Sequence, residues 1–190
     1  MRSCRHCSSH LSPLARADAR YCSGRCRVAA LRSRPALPVE LTSRDRWVRR
    51  NHKKIPLTYD DRVASSTNPS TWCDFELANE SNVGVGLGFV LNGDGVACID
   101  IDHCVTDGKV ADWAQSFIDT LPETYIEISP GGDGLHIWGI ASLVFGGKRV
   151  QIPGGELEVY GSGRYITITG NAVDSTRRLA NLTAALIAVT

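Results

Sequence analysis

The chain has 190 residues, of which 43% are hydrophobic and 22% charged, enough for one domain with a sizeable core and a small appendage. No apolar run reaches the length of a membrane span, and the N-terminus carries Cys and Arg where a secretory signal would be apolar. These features argue against a membrane-spanning or secreted protein. They predict a cytoplasmic one, whose seven cysteines stay reduced.

The net charge of +1 hides an asymmetry along the chain. Residues 1–34 contain eight Arg and one acidic residue, a charge of +7, whereas the other 156 residues carry 13 basic and 19 acidic residues, a charge of −6. A basic segment on a mildly acidic body predicts an anionic partner, with nucleic acid as the first candidate.

The basic segment holds two closely spaced pairs of cysteines, C-x2-C and C-x3-C. Both spacings suit knuckles that direct two thiolates at one tetrahedral Zn2+, so the segment predicts a structural zinc site. The predicted ligands are Cys4, Cys7, Cys22 and Cys26. His6 and His10 are alternative ligands, but either would break the paired spacing. An Arg-rich tail with incidental cysteines is the weaker reading, because so short a segment has few other ways to fold.

Residues 4–34 resemble small treble-clef-like zinc fingers, in which the second cysteine pair opens a helix. That helix would run here through residues 28–31. The basic surface would contact phosphates in a salt-sensitive manner, and a protein partner is the alternative. Residues 35–40 contain two prolines and predict an extended linker, so the expected domains are 1–34 and 41–190.

The larger domain alternates short strands with helices, which predicts an α+β fold with α/β-type layers: a mixed sheet covered by helices. Asn68-Pro69 predicts a capped helix running past Phe75. Residues 83–91 predict a strand, followed by a hairpin turn at 92–95. Apolar spacing predicts a helix over 110–121. Further strands are predicted at 125–129, 135–140, 157–160 and 164–169, with a last helix over 179–189.

Two acidic residues lie in the strand that follows the predicted hairpin turn. Asp100 and Asp102 are two apart in an apolar run, so both carboxylates are expected on one strand face. Such a pair is a platform for Mg2+ or Mn2+, which prefer oxygen ligands. A solvated strand face explains the pair equally well when it is taken alone.

Two further stretches carry polar residues beside strands. Ser129 and His136 bracket a turn with three glycines, whose backbone N–H groups can approach an anion closely. Glu158 shares a strand face with Glu156 and precedes Arg164, an arrangement that suits a metal ligand beside a phosphate clamp. Each stretch alone is equally explained by a long hairpin turn or a surface ion pair.

Together, the three stretches resemble the primase–polymerase (prim–pol) domain of the archaeo-eukaryotic primase superfamily, in the form found in phage and plasmid replication proteins. That family carries D-x-D on one strand, a Ser…Gly-rich…His turn, and an acidic strand followed by Arg and a TG ending. These appear here, in that order, as CIDIDHC, EISPGGDGLHIWG and LEVYGSGRYITITG. The resemblance covers roughly residues 41–171 and implies a catalytic core of archaeo-eukaryotic primase type, with a small zinc finger in front.

Carried over motif by motif, the resemblance implies a role for each candidate residue. The implied ligands of Mg2+ or Mn2+ are Asp100, Asp102 and Glu158. The implied nucleotide-binding residues are Ser129, His136 and Arg164. The implied catalytic residues are Asp100, Asp102, His136 and Glu158. Glu158 is chosen over Glu156 because the family's acid directly precedes an aliphatic–aromatic pair.

The implied activity is DNA-dependent nucleotidyl transfer from nucleoside triphosphates by two-metal chemistry: a DNA primase, a DNA polymerase or both, acting in DNA replication. The implied partners are a single-stranded DNA template and nucleoside triphosphates, in a bacterial or phage-infected cell. Family members are often longer, so primer synthesis by this chain is expected to be weak alone, or to depend on a separate replicative helicase or on the zinc finger for template contact. The alternatives are a zinc-finger adaptor with an inactive prim–pol fold, and a metal-dependent nuclease, which gives no reason for the Ser…Gly…His turn.

Overall fold

The computed structural model describes residues 2–4, 6–32, 36–142 and 146–189. The chain divides into two compact units, residues 1–35 and residues 36–190. In the described part of the chain, no helix is both long and apolar enough to cross a lipid bilayer.

The first unit begins with a tight turn around the first cysteine pair. Ser3 and His10 form an antiparallel bridge. Within it, the Cys4 N–H donates to the Ser9 carbonyl at 2.7 Å, and the Ser8 N–H donates to the Cys4 carbonyl at 2.9 Å. This hydrogen bonding closes the chain on itself and buries Cys4.

The second cysteine pair lies at the start of helix α1, Gly24–Arg32. The Ser23 hydroxyl accepts a hydrogen bond from the Cys26 N–H at 3.2 Å, which satisfies one of the free N–H groups at the helix start. The helix predicted for residues 28–31 is present within α1.

Residues 34 and 35, where the predicted finger ends and the predicted linker begins, lie outside the described residues. Residues 36–38 have no regular structure, and helix α2 spans Val39–Thr42. The Leu41 side chain is fully buried in the core of the second unit.

The second unit contains short helices and strands, as the sequence predicts. After α2, its α-helices are α3 (Phe75–Glu80), α4 (Asp112–Ile118) and α5 (Thr183–Val189). Its first six strands are β1 (Trp47–Arg50), β2 (Pro56–Leu57), β3 (Gly86–Asn92), β4 (Val96–Ile101), β5 (Val105–Thr106) and β6 (Lys109–Val110). Its last six are β7 (Ile126–Ile128), β8 (Leu135–Ile140), β9 (Lys148–Ile152), β10 (Gly155–Tyr160), β11 (Ser162–Ile168) and β12 (Ala180–Asn181).

The strands form two main sheets and one small ribbon. The first sheet has the antiparallel order β11-β3-β1-β2. The second has the order β12-β8-β4-β10-β9, with β7 also paired to β8; its β12–β8 pair is parallel and the other pairs are antiparallel. Strands β5 and β6 form the ribbon. The α+β class is confirmed, but two sheets replace the single mixed sheet that was predicted.

An aromatic-rich core joins one face of each main sheet. Phe89 of the first sheet and Trp138 of the second have ring centroids 5.9 Å apart, and Trp47 lies 5.2 Å from Phe89. The opposite face of the second sheet is covered by α4 and α5, through Phe117 and Leu186. The second sheet is therefore buried on both faces along most of its length.

The predicted hairpin at residues 92–95 is wrong, because β3 and β4 belong to different sheets. The chain leaves the first sheet at this turn and enters the second, and it returns between β10 and β11. The two crossings meet where the Gly93 N–H donates to the Gly161 carbonyl at 3.0 Å. Gly93 and Gly95 have φ angles of 87° and 98°, a region that residues with side chains adopt only at a cost.

Local differences from the predicted helices have similar tertiary causes. Residues 69–71 form a short 3-10 turn, and α3 starts only at Phe75, because Cys73 pairs with Trp47 as a β-bridge and interrupts the helix. Asp74 then caps α3 by accepting from the Leu77 N–H at 2.8 Å. The helix predicted over 110–121 is shorter, since Val110 is recruited into β6. Strand 135–140 matches its prediction residue for residue.

A nearly buried arginine, Arg46, pairs with Asp94 of the first crossing between the sheets. Arg46 NH1 lies 2.9 Å from Asp94 Oδ1, and its side chain is 6% exposed. The guanidinium carbon sits 4.6 Å from the centroid of the Phe89 ring. Arg44 pairs with the same carboxylate at 3.0 Å. Asp94 therefore compensates a charge that has almost no access to water.

Asp94→Ala is expected to lower the free energy of unfolding by about 3 kcal/mol, because the buried guanidinium loses its charged partner. Urea denaturation of the full chain measures this loss. Arg178→Ala is the comparison: it removes an exposed ion pair with Glu123 at 3.1 Å and should cost no more than about 1 kcal/mol. Equal losses in the two variants would show that Asp94 has no special structural role.

Candidate active site and cysteine cluster

A row of five charged residues crosses the second sheet, one from each of five strands. Arg149 of β9 faces Glu158 of β10, which in turn faces Asp100 of β4. Asp100 faces His136 of β8, and His136 faces Glu127 of β7. Directly opposed residues have Cβ atoms about 5 Å apart, so the five side chains form one continuous charged row.

The charged row lies beside a cleft at the end of the core between the sheets. Strand alternation puts it on the same face as the core residues Cys98, Trp138 and Tyr160. The cleft has a volume of about 450 Å³ and is lined by Asp100 and His136 from the second sheet and, from the first sheet, by Arg164 of β11 among others. Acidic and basic side chains thus line the same cleft.

Asp100 is the most unusual member of the row. Its side chain is 22% exposed, and its buried Oδ1 atom accepts no hydrogen bond within the described structure. His136 Nε2 is 3.7 Å from that oxygen. Burial raises the pKa of Asp100, and the charges of Asp102 and Glu158 raise it further, against the opposing effect of His136.

A buried carboxylate oxygen without a donor is costly unless a cation satisfies it. The carboxylates of Glu158 and Asp102, whose charges act on Asp100, offer oxygen ligands of the kind that Mg2+ or Mn2+ prefers, beside the imidazole nitrogen of His136. The residues present therefore fit a divalent cation at Asp100.

Glu158, unlike Asp100, already has partners for both oxygens. The Tyr160 hydroxyl donates to Oε2, and Arg149 Nε lies 2.6 Å from Oε1. The Tyr160 hydrogen bond, followed by the Arg149 contacts, lowers the pKa of Glu158, so this carboxylate stays ionised. Arg164 also contacts Tyr160. Its NH1 donates to the Tyr160 hydroxyl at 2.9 Å, and its guanidinium carbon lies 4.2 Å from the centroid of the Tyr160 ring.

Glu156 is on the same face as Glu158 and contacts the end of the row, since Arg149 NH1 lies 3.6 Å from Glu156 Oε1. It pairs in register with Gln151, two residues along the strand from the Glu158–Asp100 pair. The structure therefore brings Glu158, and not Glu156, next to Asp100.

Glu127 is a buried member of the charged row that the sequence analysis missed. Its side chain has no exposed surface. Oε2 accepts three hydrogen bonds: from the Tyr125 hydroxyl at 3.0 Å, the Thr169 N–H at 3.1 Å and the Gly170 N–H at 2.9 Å. Oε1 lies 3.3 Å from His136 Nδ1. Because a carboxylate can only accept, this contact assigns the proton to Nδ1 and turns Nε2 toward the cleft.

The sequence contained one signal for Glu127. In the segment Tyr125-Ile-Glu-Ile128, alternation puts an acid and a tyrosine on the face opposite the two isoleucines. That pattern does not reveal which residue the acid meets, because the register between β7 and β8 is set by the intervening turn.

The glycine-rich turn packs against the end of β4. A Cβ added to Gly134 would lie 2.7 Å from the Ile101 carbonyl oxygen and 3.1 Å from Ser129 Oγ, so only glycine permits this approach. Asp102 follows the last residue of β4 and is exposed, with its Cα 3.4 Å from the same Cβ position. The glycine-rich turn therefore brings the nearly buried Ser129 close to Asp102, and Pro130 of the same turn lines the cleft.

The four predicted zinc ligands lie together in the first unit. The sulfur atoms of Cys4, Cys7, Cys22 and Cys26 all lie within 4.8 Å of one another. Cys22 Sγ is 3.6 Å from Cys7 Sγ and 3.5 Å from Cys26 Sγ, close to the roughly 3.8 Å edge of a tetrahedron of sulfurs around Zn2+. The alternative ligands His6 and His10 are not part of this group among the described residues.

The four neighbouring thiols of the cluster shift one another's pKa values in opposite directions. A hydrogen bond from the Cys7 backbone N–H is the main reason that the pKa of Cys4 falls to about 6. Hydrogen bonding with Cys26 and the other neighbouring thiols raises the pKa of Cys22 to about 12. The crowded sulfurs thus share protons that a bound metal would displace, which is compatible with a structural zinc site.

Comparison with known proteins shows a relative of the chain by sequence identity. No protein-family model matches the sequence. The chain is 39% identical over 137 residues to the DNA Primase-polymerase of Nitratiruptor phage NrS-1. The matched segment is 67% of this chain but only 19% of the phage protein. The chain is thus homologous, over 67% of its length, to part of a phage DNA primase-polymerase, which supports its assignment to the primase–polymerase family.

Proposed function

We propose that this chain is a DNA-dependent nucleotidyltransferase with primase activity, polymerase activity or both, acting in DNA replication. The observation that carries the proposal is the charged row: Asp100 and Glu158 side by side, with His136 next to Asp100, on a chain 39% identical to a phage DNA primase-polymerase. The cleft beside them has Arg164 in its lining, so an anionic substrate finds positive charge in the same space as the carboxylates.

In this proposal the carboxylates of Asp100, Asp102 and Glu158 bind Mg2+ or Mn2+. The bound ions would activate a 3′-hydroxyl and stabilise the charge on the departing pyrophosphate. The support is the unsatisfied Oδ1 of Asp100 and the charge of Asp102 close enough to raise the pKa of Asp100. Two adjacent carboxylates repel each other, and a cation between them removes that repulsion.

The other residues in the proposal hold the incoming nucleotide. The Nε2 atom of His136 faces the cleft, where a ring protonated on both nitrogens would donate to a phosphate oxygen while Nδ1–H keeps its contact with Glu127. Arg164 has its guanidinium stacked on Tyr160, which restricts its motion and preserves its remaining N–H donors for a phosphate. Ser129 and the glycine-rich turn would supply a hydroxyl and backbone N–H groups at the edge of the cleft. Positioning and electrostatics then provide most of the rate enhancement.

The cysteine cluster is proposed to bind Zn2+ and to present the first unit to single-stranded template. Exposed Arg25 and Arg27 on α1 support a phosphate contact. Not every arginine counted in the sequence is available, because Arg2 donates to three backbone carbonyls of residues 15–17. A separate replicative helicase remains a proposed partner.

The test is a primer synthesis and extension assay on single-stranded DNA. Labelled nucleoside triphosphates, with ribose and deoxyribose forms in separate reactions, are supplied with Mg2+ or Mn2+. New or longer products support the proposal. Shorter products from an end-labelled primer would instead identify a nuclease. DNA binding without any nucleotide incorporation or metal-dependent nucleotide binding would favour the zinc-finger adaptor.

Glu127→Gln is expected to lower the rate of nucleotide incorporation by about 10- to 100-fold while the protein stays folded. Glutamine cannot replace glutamate here, because one side of the carboxylate faces three donors. Its amide oxygen must face those donors, so its NH2 group would face His136 Nδ1, which must then accept; the ring can no longer carry a proton on both nitrogens. Steady-state kinetics measure the rate, and 15N NMR of the imidazole reports which nitrogen carries the proton.

Glu156→Gln is the matched control, since it makes the same change on the same sheet face at a carboxylate that contacts Gln151 and Arg149 and lies away from His136. It should stay within about twofold of wild type. If Glu127→Gln kept both the wild-type rate and the Nδ1-protonated ring, Glu127 would not position His136.

A further inference from the structure

Lys54 lies in the lining of the cleft, although it comes from a part of the chain far from the three sequence motifs. It belongs to the connection between β1 and β2 and lines the cleft together with Asp100, His136 and Arg164. The connection therefore brings a second basic side chain to the space that Arg164 already lines.

The backbone at Lys54 is held in an unusual conformation. Its φ angle is 57°, in the left-handed region that costs a residue with a side chain roughly 1 kcal/mol. The Lys54 N–H donates to the Asn51 carbonyl at 3.1 Å, and the Tyr165 hydroxyl donates to the Lys54 carbonyl. The Asn51 side chain also accepts from the Lys53 and Ile55 N–H groups at 2.9 and 3.0 Å.

A turn that needed only this backbone shape would be better served by glycine or asparagine, which adopt it more readily. The strained position instead carries a long cationic side chain at a cleft wall. Within the described part of the chain, the Lys54 ammonium has no salt-bridge partner, so its charge is available to a ligand. Strained backbone of this kind is often found where a side chain must be held in place for function.

We propose that Lys54 is a phosphate-binding residue of the cleft, whose ammonium group contacts phosphate oxygens held between it and Arg164. This inference rests on the proposed nucleotidyltransferase function. The phosphate belongs either to the triphosphate of the incoming nucleotide or to the DNA backbone. Both present the same oxyanion chemistry, which a lysine recognises as a point charge.

The experiment compares Lys54→Asn with Lys53→Asn in the full chain. Asparagine tolerates the left-handed conformation, so the change removes the charge without forcing the turn to rearrange. Lys53 is the adjacent residue, has the same charge and is exposed, but it does not line the cleft in the described structure. Lys54→Gly serves as a second variant, since glycine relieves the backbone cost and separates folding from binding.

Two binding measurements distinguish the source of the phosphate. One titrates deoxyguanosine triphosphate with Mn2+ in the absence of DNA, and the other titrates a fluorescein-labelled oligothymidine at several salt concentrations. A Kd for the nucleotide raised about tenfold by Lys54→Asn and Lys54→Gly, but not by Lys53→Asn, identifies the triphosphate. A matching loss confined to the oligothymidine, with a shallower salt dependence, identifies the DNA backbone.

Equal binding of both ligands by wild type, Lys54→Asn and Lys53→Asn would overturn the role of Lys54 and leave the nucleotidyltransferase proposal intact. Failure of the wild-type protein to bind nucleotide or DNA would overturn both.

Discussion

Asp100→Asn is expected to reduce primer extension by at least about 1,000-fold, because it removes the carboxylate with the least satisfied oxygen in the charged row. A loss of this size corresponds to about 4 kcal/mol of transition-state stabilisation, within what a catalytic metal ion supplies. The same change is expected to leave the thermal midpoint of the second unit unchanged or higher. Burial raises the pKa of Asp100, so its ionised form opposes folding, and a neutral amide removes that penalty.

The loss of activity together with retained stability is the informative outcome. Mn2+ binding, followed by the paramagnetic broadening of nearby NMR signals, gives a readout that does not depend on turnover. Asp107→Asn is the control, because Asp107 is exposed, lies in the turn between β5 and β6 and already has a φ of 50°, which asparagine tolerates. An Asp100→Asn variant with wild-type extension rates would show that the charged row is not the catalytic centre.

Removal of zinc is expected to unfold residues 2–32 while the second unit stays folded. The first unit is short, and among its described residues Cys4 and Leu11 are the buried apolar side chains, so metal binding must supply most of its folding free energy. For structural zinc in small domains this contribution is on the order of 10 kcal/mol. Amide hydrogen exchange before and after addition of a chelator measures the loss for each unit separately.

Point variants test which side chains bind the zinc ion. Cys4→Ala is expected to lower the zinc content from one ion per chain to a fraction of that and to expose the amides of the first unit. His6→Ala and His10→Ala should retain the full zinc content, because neither histidine belongs to the cysteine cluster. Loss of zinc in a histidine variant, with retention in Cys4→Ala, would reassign the ligand set.

Some of the structure could be predicted from local sequence patterns. Residues 135–140 form a short, largely apolar run with two isoleucines and a tryptophan, which is typical of a buried strand, and β8 has those bounds. The cysteine spacings predicted which four residues lie together, because a knuckle is a local structure with few conformations open to it. The α+β class followed from short strands alternating with amphipathic helices.

Other predictions failed where a distant contact outweighed a local pattern. The Asn92–Gly95 turn has the composition of a hairpin, yet Gly93 bonds to Gly161 and Asp94 pairs with Arg46, so the chain crosses to a second sheet. A turn motif reports how sharply the chain bends and does not report which strand the next segment will meet.

The sequence by itself determined the residue types of the candidate site, their order along the chain and, for Asp100, His136 and Glu158, the strand face on which each lies. Only the tertiary structure decided that Glu158 pairs in register with Asp100, that the buried Glu127 contacts His136, and that Lys54 reaches the same cleft. The physical reason is that alternation along a strand is a property of neighbouring residues. Register between strands depends instead on the packing of the two sheets and on the crossings that join them.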